Sequence, residues 1–260
     1  MKLTVLGSAA SYAGAGEACA GHLVECGATA VLLDCGNGVL ANLAQVRDPL
    51  TLAAVFVSHG HPDHFLDLYA LQALLRYAPQ GPAPPLDLHL PSGLFEQMQC
   101  LLSERGATEF AAAFRPHPLA DRTAAHIGDL AVEPHAVNHG DHAFALRVTG
   151  DGATLCYTAD TAPGEAVVAA ARGCDLLLAE ATLPEQYAGA AAHMTASEAG
   201  EVAREAGAGA LVLTHVWPTN DREQMRALAS KAFGDEVAVA REFDTFTVAP
   251  GATVREDTRR

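Results

Sequence analysis

One turn constrains this chain more than any other stretch: Ser58-His59-Gly60-His61-Pro62-Asp63-His64. An apolar run over 52–57 leads into it and reads as a buried strand. Beyond it, residues 65–75 carry apolar side chains at helical spacing, so the turn joins a strand to a helix. Three imidazoles and a carboxylate are thereby confined to a connection of the kind that often carries function. His59 and His61 are expected on one side of an extended segment, with Asp63 and His64 where the helix begins. Imidazole and carboxylate together suit borderline-soft divalent metals.

Composition narrows what such a site could serve. Half of the 260 residues are hydrophobic, enough for a sizeable core. The 31 acidic and 16 basic residues leave a formal charge of −15, and the only lysines are Lys2 and Lys231. No basic stripe is visible, which argues against tight binding of long nucleic acid. A small anionic substrate stays compatible, because bound metal offsets negative charge locally. The amino terminus shows neither a long apolar segment nor a cleavage-site pattern, so no signal peptide or membrane span is expected. The six cysteines form no CxxC pair and are expected to be free and buried. A cytoplasmic location follows from these points.

Strands are expected at 1–6, 22–26, 29–34, 52–57, 86–90, 130–137, 143–148, 153–157, 175–178, 211–213 and 237–239. Helices are expected at 39–46, 65–75, 93–104, 165–172, 197–206 and 221–233. Gly150-Asp151-Gly152 reads as a tight hairpin turn. Thr195 with Glu198 has the form of a capping box, and Asn220 with Glu223 gives a second capping signal. The small-residue loop 7–16 lacks the spacing of either standard nucleotide motif. Residues 106–121 are left unassigned, with His117, between two prolines, expected at the surface; 249–260 reads as a frayed tail. Both halves place clustered strands before strand–helix alternation. This predicts an α/β fold of two packed sheets with helices on the outer faces and a site where strands end. No repeat or linker interrupts it, and 1–260 is expected to be one domain.

Four further polar residues stand at or near expected element ends. His139 lies in the turn after the 130–137 strand, Asp160 ends an apolar run, and His215 ends the 211–213 strand. His193 precedes the 197–206 helix. Together with the opening turn they point to one shared site.

The His-x-His-x-Asp-His turn, with Tyr157-Thr158-Ala159-Asp160-Thr161 downstream, resembles the metallo-β-lactamase superfamily, from Leu3 to about Phe246. The resemblance implies a four-layer αβ/βα sandwich of two mixed sheets and a site for two divalent ions. Zinc is the first expectation, and manganese and iron suit the same ligands. It implies that His59, His61 and His139 bind the first ion, that Asp63, His64 and His215 bind the second, and that Asp160 bridges them. His139 is preferred over the nearby His135 and His142 because the following Phe144 strand keeps the family's offset from ligand to strand.

Three segments are similar to the branch containing ribonuclease Z and related phosphodiesterases: Ala192-His193-Met194-Thr195-Ala196, Glu180-Ala181-Thr182 and Leu211-Val212-Leu213-Thr214-His215. That branch implies a hydrolase of phosphodiester bonds, with His193 as the acid for the leaving group, Glu180 orienting it, and Asp63 steering the attacking water. Asp34, in a turn similar to one in the same branch, would orient a metal-binding imidazole. Many ribonuclease Z proteins insert a tRNA-gripping arm between the later histidine and the bridging aspartate. The short interval from His139 to Asp160 has no room for one. A small substrate such as a cyclic nucleotide is therefore expected, as in short bacterial relatives, among which homodimers are common. The alternatives are a ribonuclease Z-like tRNA 3′ endonuclease, a glyoxalase II-type thioesterase and a non-catalytic metal-binding protein.

Overall fold

Leu155 and Tyr157 face one way from their strand while Cys156 faces the other, and all three are fully buried. A strand apolar on both faces must be covered on both faces, which requires a layer on either side of the sheet. The computed structural model describes residues 1–140, 142–251 and 256–257. Its first sheet runs in the order β15 (Glu256–Asp257), β14 (Thr245–Thr247), β1 (Lys2–Gly7), β2 (Gly21–Cys26), β3 (Thr29–Leu33), β4 (Ala54–Phe56), β5 (Leu86–Leu90) and β6 (Phe114–Pro118). The second runs β13 (Val237–Val239), β12 (Leu211–Thr214), β11 (Leu176–Glu180), β10 (Ala153–Tyr157), β9 (Phe144–Gly150), β8 (Leu130–Ala136) and β7 (Ala125–Ile127). Both sheets are mixed: β3 to β6 and β10 to β13 pair in parallel, and the remaining neighbours are antiparallel.

The sheets meet through Leu3, Val5, Val31, Leu33 and Phe56 on one side and Val132, Val148, Leu155, Leu176 and Val212 on the other. The outward residues of the first sheet, among them Leu32 and Val55, pack on α1 (Val39–Val46), α2 (Leu68–Tyr77), α3 (Leu94–Gln99) and α4 (Glu104–Ala113). Those of the second, among them Leu177 and Leu213, pack on α5 (Glu165–Ala171), α6 (Ala196–Ala206) and α7 (Arg222–Phe233). Each fully buried leucine contributes about 1.5–3 kcal/mol relative to exposure, so the three apolar layers set the architecture. It is the four-layer sandwich expected.

Several local expectations change. The helix expected over 93–104 ends at Gln99, and after Leu101 and Leu102 a second helix, α4, runs through the first part of the unassigned stretch, with Ser103 capping it by accepting from the Gly106 amide. Helix α2 begins at Leu68, and a 3₁₀ turn over Pro62–His64 carries Asp63 and His64 instead. The α7 cap is Asp221, which accepts from the Glu223 and Gln224 amides, so Asn220 is free to donate to the Thr182 carbonyl. The Thr195–Glu198 capping box forms as expected. Residues 114–118 are an edge strand, where Pro116 and Pro118 are tolerated because no further strand needs their amides. His117 there is half-buried, stacked on His89 at 4.7 Å and bonded to Asp87. The hairpin at 150–152 closes with Asp151 and Gly152 both at positive φ. Of the 249–260 tail, 252–255 and 258–260 lie outside the described residues, while Glu256 pairs with Phe246. Among the described residues no helix is long and apolar enough to cross a membrane.

Candidate metal centre

Six strands deliver polar residues to one edge. Asp34 follows β3, His59 follows β4, His139 follows β8, Asp160 follows β10, Glu180 ends β11 and His215 follows β12. Asp34, Ala159 and His215 all have left-handed backbone, with φ of 58, 49 and 50°. Such conformations cost non-glycine residues of order 1–3 kcal/mol each and persist where the surroundings over-determine them. They turn the chain sharply at the strand end, so that the polar side chain faces the shared edge. Gly36 has a steric role: a Cβ there would collide with the Asp63 carbonyl, so the turn bearing Asp63 and His64 can lie directly against it.

The nitrogens converge in two groups. His61 Nδ1 lies 3.0 Å from His59 Nε2 and 3.1 Å from His139 Nε2. Across the site, His215 Nε2 lies 3.2 Å from both His64 Nε2 and Asp63 Oδ2. Asp160 stands between. Its Oδ2 is 3.5 Å from His59 Nε2 and 3.6 Å from His139 Nε2, and its Oδ1 is 3.4 Å from His64 Nε2 and 3.3 Å from His215 Nδ1.

Hydrogen bonds behind the rings set their tautomers. Asp34, fully buried, accepts from the Ser58 amide, the Ser58 hydroxyl, His64 Nδ1 and the Tyr157 hydroxyl at 2.7–2.9 Å. Because the Ser58 hydrogen goes to Asp34, Ser58 Oγ accepts from His59 Nδ1 at 3.0 Å. Thr182 likewise donates to Glu180 at 2.6 Å and accepts from His215 Nδ1 at 2.8 Å. His139 Nδ1 donates to the Ala192 carbonyl at 2.7 Å. Four histidines thus hold a proton on Nδ1, so that in the neutral, ligating form of each ring the Nε2 lone pair is the one available.

Lone pairs and carboxylates crowded together repel unless a cation lies between them. Donors around a four-coordinate ion with bonds of about 2.0–2.1 Å stand about 3.3–3.4 Å apart, close to the spacings here. Asp160 Oδ1 is buried without a hydrogen-bond partner, as a metal ligand would be in its absence. The donor set therefore fits divalent ions. His59, His61, His139 and Asp160 could hold one, and Asp63, His64 and His215 another. A third grouping, Asp160, His193 and His215, is geometrically open as well.

Burial and the neighbouring His64 charge push His59 well below the ordinary histidine range. Burial works the same way on His64, but the Asp160 and Asp34 carboxylates hold it well above that range. For Asp63 burial is likewise outweighed, here by the His215 hydrogen bond and the His64 charge, and its carboxyl lies below the usual range. Glu180 is fully buried and accepts from the Thr161 amide at 2.7 Å, from Thr182 and from His193 Nδ1 at 2.9 Å. Burial lowers the pKa of His193, but the Glu180 bond and charge raise it further, and the net shift is upward.

All the candidate residues named from the sequence meet here. His135 and His142 do not join them: His135 pairs with Glu133, and His142 is an exposed turn residue. The supporting residues Ser58, Tyr157 and Thr182 carried no assigned role in the sequence. Their one signal is a polar atom in an otherwise apolar run. Ser11, at φ 61°, donates its amide to Asp63 Oδ2 at 2.7 Å, and nothing in its loop announced that contact.

Comparison with known proteins agrees with this fold. Residues 29–216 match the model for the beta-lactamase superfamily domain. The chain is 34% identical over 253 residues to an uncharacterized protein of Mycobacterium tuberculosis, covering 95% of this chain and 92% of that one. It is 31% identical over 245 residues to the probable metallo-hydrolase YhfI of Bacillus subtilis, covering 93% and 97%. The crystal structure of YhfI superposes with a TM-score of 0.84 over 94% of this chain and 98% of that one. Ribonuclease Z of Mycobacterium bovis is 28% identical over 278 residues, covering 96% and 99%.

Proposed function

The chain belongs to the beta-lactamase superfamily, and on that premise we propose that it is a metal-dependent hydrolase of phosphodiester bonds acting on a small substrate such as a cyclic nucleotide. His59, His61, His139 and Asp160 would hold one divalent ion; Asp63, His64, His215 and Asp160 would hold the other, with zinc the first choice and manganese or iron suited to the same ligands. Such ions supply Lewis acidity toward a phosphoryl oxygen and an activated water.

The chain's own residues do the rest. Glu180 accepts a hydrogen bond from His193 Nδ1, so the proton on Nε2 is the one presented to a leaving oxygen. The Ser11 amide pins one oxygen of Asp63, leaving the other to orient the attacking water. The His193–Glu180 pair beside Asp160 is the observation that carries this reading. An alkoxide leaving group needs a proton, whereas a thiolate, with a pKa of about 8.5, departs without one; the pair therefore favours phosphodiester over thioester. A built acid also has no purpose in a protein that only stores ions. The interval between His139 and Asp160 is taken up by the β9–β10 hairpin, and the charge of −15 disfavours a long polyanion. Both points support a small substrate over a tRNA precursor.

The reading extends to the whole chain as one domain, supported by β14 pairing with β1 across the length of the sequence. A cytoplasmic location fits six unpaired cysteines, all buried except Cys100. The deciding experiment is hydrolysis of bis-p-nitrophenyl phosphate by protein loaded with zinc or manganese. Turnover is expected, and its absence with both metals overturns the reading. Cyclic AMP against a tRNA precursor, under the same conditions, then separates the two substrates, with the cyclic nucleotide preferred.

A further inference from the structure

The glycine-bearing loop 7–16 is explained neither by the core nor by the metal ligands, yet it is firmly placed. Val216 donates its amide to the Ser8 carbonyl at 2.8 Å, and Ala10 donates to the Val216 carbonyl at 3.1 Å. This zips the loop to the chain immediately after His215. Gly14 is pressed so closely on Pro218 that a Cβ would come within 3.1 Å of the ring. At the centre of the zipper Ser11 makes two contacts: its amide reaches Asp63 Oδ2, and its hydroxyl accepts from the indole nitrogen of Trp217 at 3.4 Å. A single residue therefore separates the indole from the Asp63 carboxylate. Trp217 is the only tryptophan of the chain and is half-buried; Tyr12, beside Ser11, is 53% exposed.

The electrostatics of the site give those rings a task. Among the described residues no lysine or arginine is paired with any of the candidate ligands. The ligand shell thus offers a phosphate no cationic side chain of its own, which leaves the uncharged part of a substrate as a second handle. Trp217, held one residue from Asp63 through Ser11, is an aromatic group of the kind that binds planar, apolar partners, and base–aromatic stacking needs no particular hydrogen-bond pattern.

We infer that Trp217 and Tyr12 form a stacking platform for the base of a nucleoside phosphate whose phosphate lies at the Asp63 side of the cluster. The inference rests on the phosphodiesterase reading and names the part of the substrate this chain selects. Ser11 is the positioning residue, linking platform and carboxylate.

With one tryptophan, intrinsic fluorescence reads the platform directly and without turnover. Metal-loaded protein is titrated with adenosine 5′-monophosphate and, separately, with ribose 5-phosphate. Saturable quenching by the first and none by the second is expected. Equal quenching by both, or none by the nucleotide, overturns the inference. In turnover, Trp217→Ala should raise KM for cyclic AMP about tenfold more than for the same cyclic ribose phosphate lacking its base. Trp217→Phe should restore most of that difference. An equal rise for both substrates overturns the inference, and Tyr12→Ala on the exposed loop repeats the comparison should the tryptophan variant fail to fold. Base-dependent quenching without any hydrolysis would sink the phosphodiesterase reading and leave the platform standing; hydrolysis without base-dependent quenching would do the reverse.

Discussion

The two halves of the site share Asp160 but are backed by different materials. On one side His64 rests directly on the Asp34 carboxylate, and His215 reaches Glu180 through the Thr182 hydroxyl. Both rings are 0–1% exposed. On the other side His139 rests on a backbone carbonyl and His59 reaches Asp34 only through Ser58, while His61 is exposed. A carboxylate behind an imidazole raises its basicity and fixes its tautomer, and a carbonyl does so with less charge. The Asp63 side also carries a negative ligand of its own. We therefore expect it to bind its ion more tightly, and the His61 side to exchange more readily with solvent.

Removing the shared group tests the comparison most severely. Asp160→Ala should leave the protein unable to hold two ions and without measurable turnover, as read by metal analysis and assay of the same preparation. Retention of about two ions per chain would show that the halves do not depend on a common bridge.

Next in size is the residue that belongs to neither half. His193→Ala should cost about 10²–10⁴ in kcat while both ions stay bound; loss of an ion with the activity would make His193 a ligand, as the third donor grouping allows. The pH profile gives the same residue a sign. As the proposed acid, His193 must be protonated to act, and Glu180 raises its pKa, so activity should fall as pH rises through that raised value. Glu180→Gln removes the charge, and the alkaline limb should move to lower pH; an unmoved limb assigns it to another group.

The smallest expected effect separates the halves themselves. Thr182→Val keeps the shape of a buried side chain but deprives His215 Nδ1 of its acceptor. Affinity for one ion should fall about 10–100-fold, with the other little changed. Two ions weakened equally, in a competition titration with a chelator, would mean that the outer hydrogen bonds do not act half by half.

Much of this was legible in the chain itself. The 58–64 turn announced its chemistry because four donors are adjacent in sequence, and clustered strands followed by strand–helix alternation announced two sheets with helices on their outer faces. His139 was harder, since His135 and His142 lie within a few residues; only the strand that follows distinguished it. The helix break at Leu101 and Leu102 was invisible because the apolar pattern continues through it. Within 106–121, residues up to Ala113 belong to α4, and 114–118 resisted because an edge strand tolerates prolines that ordinarily argue against a strand.

Sequence alone therefore determined the ligand types, the layer architecture and the strand ends at which the polar residues stand, because adjacency and periodicity are local properties. Tertiary structure alone decided which nitrogen of each ring faces inward, how Asp34 gathers four donors from β3's neighbours and from Tyr157 on the opposite sheet, and that Ser11 ties Asp63 to Trp217. Those contacts join residues up to about two hundred positions apart. Their geometry exists only once two sheets are packed face to face and the strained turns at Asp34, Ala159 and His215 are held in place.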